Sequence, residues 1–295
     1  MRTSRRGSRT RRTAALGLAL VLLLGGCGAE GDGAGDAATA VPAEAAATGL
    51  AADLEDLATE VPGELGVVLL DPEGAEVVAR SADRPFTSAS LYKLFVAHAV
   101  LDEADRGALG LSDVVPELGL TVEQSLDVMI SWSDNASGAA LGRWLGWKEV
   151  EAFAQEQGFT ATTFDPGTGS QDVVAMSTTP ADVAALLERL RRGDLLSDSS
   201  TALLLGFLEE QHLDYALSSG FSPDVDFAHK TGLLEDVSHD VGIVDIGGQE
   251  YVLAVLTDGW SGYEESTPWF GEAARTVEAY VREDTGAGPW TAAAP

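Results

Sequence analysis

The sequence predicts an α/β chain of the α+β type, with one antiparallel sheet of about five strands flanked by helices and a mostly helical second lobe. Three observations predict it. β-prone runs fall into a pair near residues 65–80 and a trio near residues 226–257, the stretch between them is mostly helical in pattern, and amphipathic helices open and close the whole block. Strands that segregate from helices along the chain favour an antiparallel sheet whose terminal helices cover one face, the long helical stretch standing as a lobe of its own.

Each element has its own signature. Leu50, Leu54, Leu57 and Val61 recur at helical spacing and predict the opening helix. Leu65–Leu70 and Ala75–Arg80 are strand-like, and Asp71-Pro72-Glu73-Gly74 between them is turn chemistry that makes a hairpin. Helices are then expected at Ser90–Arg106, Thr121–Ser131, Asn135–Leu145, Trp147–Gln157, Pro180–Arg192 and Thr201–Leu213, separated by Gly, Pro, Asp and Ser. Trp144 and Trp147 read as packing anchors among them. Strands return at Asp226–Lys230, Val241–Ile246 and Tyr251–Thr257, the last two joined by Gly247-Gly248. A final helix is expected from Pro268 to Arg282, which gives a folded domain over residues 50–285, a helical lobe over about 90–216 and a disordered tail over 286–295. A cleft between the lobes is the natural place for a site.

The first residues read as an address. Arg2, Arg5, Arg6, Arg9, Arg11 and Arg12 precede an apolar run from Ala14 to Leu24, too short for the roughly twenty residues of a permanent membrane span. Leu24-Gly25-Gly26-Cys27 resembles the lipobox of bacterial lipoprotein precursors. That resemblance implies a signal peptide over 1–27, lipidation of Cys27 and an exported protein on the outer face of the cytoplasmic membrane, held by its lipid alone. Cys27 is the chain's only cysteine, so no internal disulfide competes for it. Arg11-Arg12 matches a twin-arginine pair without separating that export route from the general one. Residues 28–49 are small and polar and read as a flexible tether.

The charge excludes one class of partner. With 18 Lys+Arg against 47 Asp+Glu, the formal net charge of −29 repels nucleic-acid phosphates. The expected partner is a small molecule, and the domain reads as a monomer.

Three lysines, Lys93, Lys148 and Lys230, stand among those 18 basic residues, which makes their places informative. Lys93 follows Ser90 by three residues, so on a helix the two side chains share a face about one turn apart. An ammonium, unlike a guanidinium, can be driven to give up its proton near neutral pH, so Lys93 can serve as a base for the Ser90 hydroxyl. The helix start at Ser90 also offers backbone N–H groups to an oxyanion. Ser133-Asp134-Asn135 then precedes a helix, and Lys230-Thr231-Gly232 ends a strand.

The ordered set S-x-x-K, S-D-N and K-T-G, each in its required context, resembles that of the class A β-lactamases and related penicillin-recognising serine hydrolases over about residues 50–282. The resemblance implies the β-lactamase/transpeptidase-like fold. It also implies Ser90 as acylated nucleophile, Lys93 as base, Ser133 as proton shuttle to the leaving nitrogen and Asn135 as partner of the substrate's side-chain amide. Lys230 and Thr231 would hold the substrate carboxylate, Gly232 would belong to the substrate-binding set, and the N–H groups of Ser90 and Leu233 would form the oxyanion hole. Lys230 beside Lys93 is expected to lower the pKa of Lys93 by like-charge repulsion. The substrate would be a β-lactam or, alternatively, a peptidoglycan stem peptide ending in D-Ala-D-Ala; a non-catalytic cell-wall-binding lipoprotein is the third reading.

Two departures matter. The family's E-x-x-L-N loop, whose glutamate activates the deacylating water, has no counterpart between Gly158 and Thr178, where only Asp165 and Asp172 offer carboxylates. Acylation with slow deacylation is the expected behaviour. The stretch between Lys93 and Ser133 is also shorter. The four histidines, His98, His212, His229 and His239, have no metal-ligand spacing, so no metal and no other cofactor is expected.

Overall fold

The computed structural model describes residues 43–164, 176–288 and 290. The expected leader, Cys27, most of the tether and the last residues lie outside this range, as do Asp165 and Asp172.

Helix α1 spans Ala43–Ala58, beginning well before the expected Leu50. Its alanine-rich start, Ala43-Glu44-Ala45-Ala46-Ala47, is strongly helix-forming and carries the helix back into what the composition suggested as tether. Strands β1 (Leu65–Leu70) and β2 (Glu76–Arg80) form the expected hairpin, closed by Asp71, whose side chain accepts from the Ala75 N–H at 2.7 Å. A two-residue strand β3 (Phe86–Thr87) follows.

The helical lobe contains α2 (Tyr92–Asp105), α3 (Val122–Ser131), α4 (Asn135–Leu145) and α5 (Trp147–Glu156). A second short strand, β4 (Ser177–Thr178), pairs with β3 and leads into α6 (Pro180–Arg191) and α7 (Asp198–Glu209). Two-residue strands have no period to read, which is why the β3–β4 pair was absent from the sequence expectation. The helix starts are chemically marked. Thr121 and Gln124 make a reciprocal capping box at α3, and Thr179 caps α6 with Pro180 as its first residue. Ser197 caps α7, so that helix starts at Asp198 and not Thr201. Such caps contribute about 1 kcal/mol each. Of the two expected anchors, Trp147 packs against the Tyr92 ring, whereas Trp144 is 40% exposed.

Strands β5 (Asp226–Leu233), β6 (Val237–Ile246) and β7 (Gln249–Asp258) are each longer than their apolar cores, because the antiparallel ladder continues through Gly232 opposite His239 and Leu233 opposite Ser238. The closing helix α8 spans Tyr263–Thr285, with Pro268 inside it instead of at its start. The sheet order is β2-β1-β7-β6-β5, all neighbours antiparallel, with β5 at one edge.

Strand periodicity divides the core in two. Val67, Leu69, Tyr251, Leu253 and Val255 face α1 and α8, while Val68, Val252, Ala254 and Leu256 face the helical lobe. The Trp269 indole N–H donates to the Leu57 carbonyl at 2.9 Å, tying α8 to α1 on the first face. On the second, α6 packs on β7 and β1, and β5 ends beside the start of α2.

Candidate active site

Ser90 lies in a one-turn 3-10 segment, Ala89–Leu91, that runs directly into α2. The helix proper therefore starts at Tyr92, and Ser90 is presented from a tighter turn than the expected helix start. Ala89 has φ +44°, a conformation that costs a non-glycine residue about 1–2 kcal/mol and is held only where the surroundings impose it. The surroundings here are specific. Ser88 N–H donates to the Met176 carbonyl at 2.9 Å, Leu91 N–H to the Ser88 carbonyl at 2.9 Å, and the His239 Nε2 lies 2.8 Å from the Thr87 carbonyl.

Lys93 gathers two of the three motifs. Its side chain has no solvent exposure, and Nζ donates to Ser90 Oγ at 3.0 Å, Ser133 Oγ at 3.1 Å, the Ser133 carbonyl at 2.5 Å and Asn135 Oδ1 at 2.7 Å. Burial lowers its pKa to about 7, opposed by the nearby Asp134 carboxylate. A buried amine titrating there, in hydrogen-bond reach of two hydroxyls, can relay a proton between them. Gly138 makes the room: a Cβ at that position would lie 2.5 Å from Tyr92 Oη and 3.1 Å from Lys93 Cε.

The loop between α3 and α4 turns sharply at Ser133, whose φ is +56°. Asp134 caps α4 by accepting from the Ser137 N–H at 2.6 Å, and Asn135 opens that helix with its side chain exposed to the cleft side of Lys93. Both Ser90 and Ser133 are partly exposed, so the two hydroxyls reach solvent while the amine between them does not.

The third motif ends the edge strand β5. Lys230 is fully buried and donates to the Thr231 carbonyl at 3.0 Å. Its pKa is driven well down, first by burial and then by the charge of Lys93, with Asp240 opposing. Burial is the larger cause at both lysines, and the repulsion between the two ammonium groups adds to it. A Cβ at Gly232 would lie 3.1 Å from the His239 ring and 3.3 Å from Ala89 Cβ, so glycine lets the strand end close against the Ser90 turn. Leu233 beyond it is 37% exposed.

Sequence reasoning singled out Ser90, Lys93, Ser133, Asn135, Lys230, Thr231, Gly232 and Leu233, and the fold brings the Ser90, Ser133 and Lys230 motifs to one cleft. Three residues around them were given no role. Asp240, fully buried opposite Thr231, accepts from the Leu217 N–H at 2.9 Å and pairs with His229 Nδ1 at 2.8 Å. Tyr215 lies half-buried beside Thr231 and Asp240. Trp132, 58% exposed directly before Ser133, stacks on His212. Only the Trp132 position carried a sequence signal, a tryptophan in a polar stretch; the other contacts join residues far apart in the chain. Among the described residues no group of three or more His, Cys, Asp or Glu side chains is placed to hold a metal ion.

Comparison with known proteins agrees with this geometry. A profile described as the beta-lactamase enzyme family matches residues 49–281. The chain is 28% identical over 276 residues to beta-lactamase L2 of Stenotrophomonas maltophilia, covering 84% of this chain and 91% of that one. It is 29% identical over 257 residues to a beta-lactamase of Kitasatospora aureofaciens, covering 76% and 82%. Among solved structures, an ancestral class A β-lactamase superposes with a TM-score of 0.70 at 27% identity, over 78% of this chain and 99% of that one. PBP-A superposes with a TM-score of 0.73 at 24% identity, over 80% and 97%, and a mutant of PBP-A is an acyl-enzyme complex with penicillin G. With the profile spanning nearly all of the folded part, the chain belongs to the beta-lactamase enzyme family and is a class A β-lactamase-like serine hydrolase.

Proposed function

We propose that the protein opens β-lactam rings through an acyl-enzyme on Ser90 and releases the product slowly. The observation that carries this reading is the single buried amine of Lys93 within hydrogen-bond reach of Ser90 Oγ and Ser133 Oγ. Neutral Lys93 takes the Ser90 hydroxyl proton as Oγ attacks the lactam carbonyl, and the N–H groups of Ser90 and Leu233 hold the oxyanion. The proton passes through Ser133 to the ring nitrogen, the C–N bond breaks, and the acyl group stays on Ser90. Asn135 holds the side-chain amide of the substrate, and Lys230, Thr231 and Gly232 its carboxylate.

The surroundings of Lys93 support slow release. Among the described residues the hydrogen bonds of Lys93 go to hydroxyl, carbonyl and amide oxygens and none to a carboxylate, and the Asp134 carboxylate is occupied by the cap of α4. A base for the deacylating water would have to be Asp165 or Asp172. The second reading is a D-Ala-D-Ala peptidase that penicillin traps, which would use the same acylating groups.

Intact-mass time courses with benzylpenicillin test the proposal. A persistent adduct on the wild type and none on Ser90→Ala is the expected result. An adduct that empties while penicilloate accumulates would refute slow deacylation, and labelling of Ser90→Ala would remove Ser90 as nucleophile.

A further inference from the structure

Among the described residues, Trp132 is the most exposed of the large hydrophobic side chains in the loops around the cleft, at 58%. It is not loose. Its ring stacks on that of His212 with centroids 3.8 Å apart and planes at 26°, bridging the α3–α4 loop and the segment that follows α7. Backbone bonds fix both partners: Trp132 N–H donates to the Val128 carbonyl at 3.3 Å, and His212 N–H to the Ser131 carbonyl at 2.9 Å. The left-handed backbone at Ser133 sends Ser133 Oγ towards Lys93 and leaves the preceding indole outside.

The segment carrying His212 borders one half of the cleft. At one end the Gln211 side-chain amide donates to the Ile130 carbonyl at 3.0 Å and towards the His229 carbonyl at 3.4 Å; at the other, Tyr215 lies beside Thr231. It therefore spans the distance from the Ser133 loop to the end of β5. In the acylation reading, on which this inference rests, Ser133 serves the leaving nitrogen and Thr231 the carboxylate. Both belong to the half of a bicyclic β-lactam that departs from the carbonyl, whereas Asn135 serves the other half. The stacked pair thus stands beside the leaving-group half.

We propose that the Trp132–His212 stack determines specificity on that side by taking a planar, conjugated, electron-poor substituent carried by the ring fused to the lactam. An indole already backed by one ring keeps an electron-rich face for another, and a pre-ordered stack loses little rotamer freedom on binding.

Two cephalosporins with the same 7-thienylacetamido side chain test it, one bearing a dinitrostyryl group at C3 and the other a methyl group. The second-order acylation rate of each is measured by intact mass. Trp132→Ala should slow acylation by the styryl compound about 3- to 10-fold, the range of one aromatic stacking contact, and leave the methyl compound within about 2-fold. His212→Ala should do the same more weakly, and Trp132→Phe should restore most of the loss. Equal losses for both compounds in Trp132→Ala, or no loss for either, would overturn the inference while leaving Ser90 acylation intact. Failure of the wild type to be acylated by either compound would overturn the Ser90 reading and this one together.

Discussion

Lys93 holds both ends of Ser133, its carbonyl at 2.5 Å and its hydroxyl at 3.1 Å. A buried amine and a left-handed serine therefore fix one another, and the serine's two contributions are separable by substitution. Ser133→Gly and Ser133→Ala both delete the hydroxyl, and each should slow acylation by benzylpenicillin about 10²- to 10⁴-fold, the range of one general acid–base group. They differ in backbone cost. Alanine keeps the left-handed penalty of about 1–2 kcal/mol and glycine does not, so the glycine variant should unfold at no lower temperature than the alanine variant despite its freer unfolded chain. A clearly higher melting temperature for Ser133→Ala would mean that Lys93 does not impose the turn.

A base with a pKa of about 7 sets a pH profile. The acylation rate should rise through about pH 7 and level off above it, as the amine becomes neutral. Lys93→Arg should lose the reaction at every pH, because a guanidinium keeps its proton. The stability counterpart has the same sign. The unfolded chain keeps this proton up to about 10.5 and the folded chain only to about 7, so between those values the unfolded state binds more protons and stability from this group increases with pH. Stopped-flow acylation from pH 5.5 to 9 is the measurement; a rate that is flat across that range would exclude Lys93 as the base.

His239 joins the sheet to the turn that carries Ser90. The ring is fully buried, with Nε2 2.8 Å from the Thr87 carbonyl and Nδ1 2.9 Å from the Ser238 carbonyl and 3.1 Å from the Thr257 N–H. Burial accordingly lowers its pKa from 6.5 to about 4. Below pH 6.5 the unfolded chain takes up a proton that the folded chain refuses, so stability from this group falls as the pH drops from 6.5 to about 4. His98, buried among Phe153 and Phe159 with a pKa of about 3, acts in the same direction. In urea unfolding at pH 7, 5 and 4, His239→Gln should lose less stability on acidification than the wild type; parallel losses would show that the ring's protonation is not coupled to folding.

The sequence by itself determined the order of the helices and of the five strands of the main sheet, the hairpin at Asp71–Gly74 and the capped starts of α3 and α6, since each rests on periodicity or on a side chain bonding the backbone a few residues away. It also picked out the Ser, Lys and Asn side chains that the fold gathers around Lys93, because the three motifs depend on spacing within a turn of helix or the end of a strand. What surrounds those side chains was decided by the tertiary structure alone. Lys93 and Ser133, forty residues apart, meet only because α2 packs against α3 and α4, and Lys230 is buried only because β5 closes on the Ser90 turn. Burial, the left-handed turns at Ala89 and Ser133 and the Trp132–His212 stack are properties of packing. Desolvation depends on every atom around a group, and no local stretch of sequence records it.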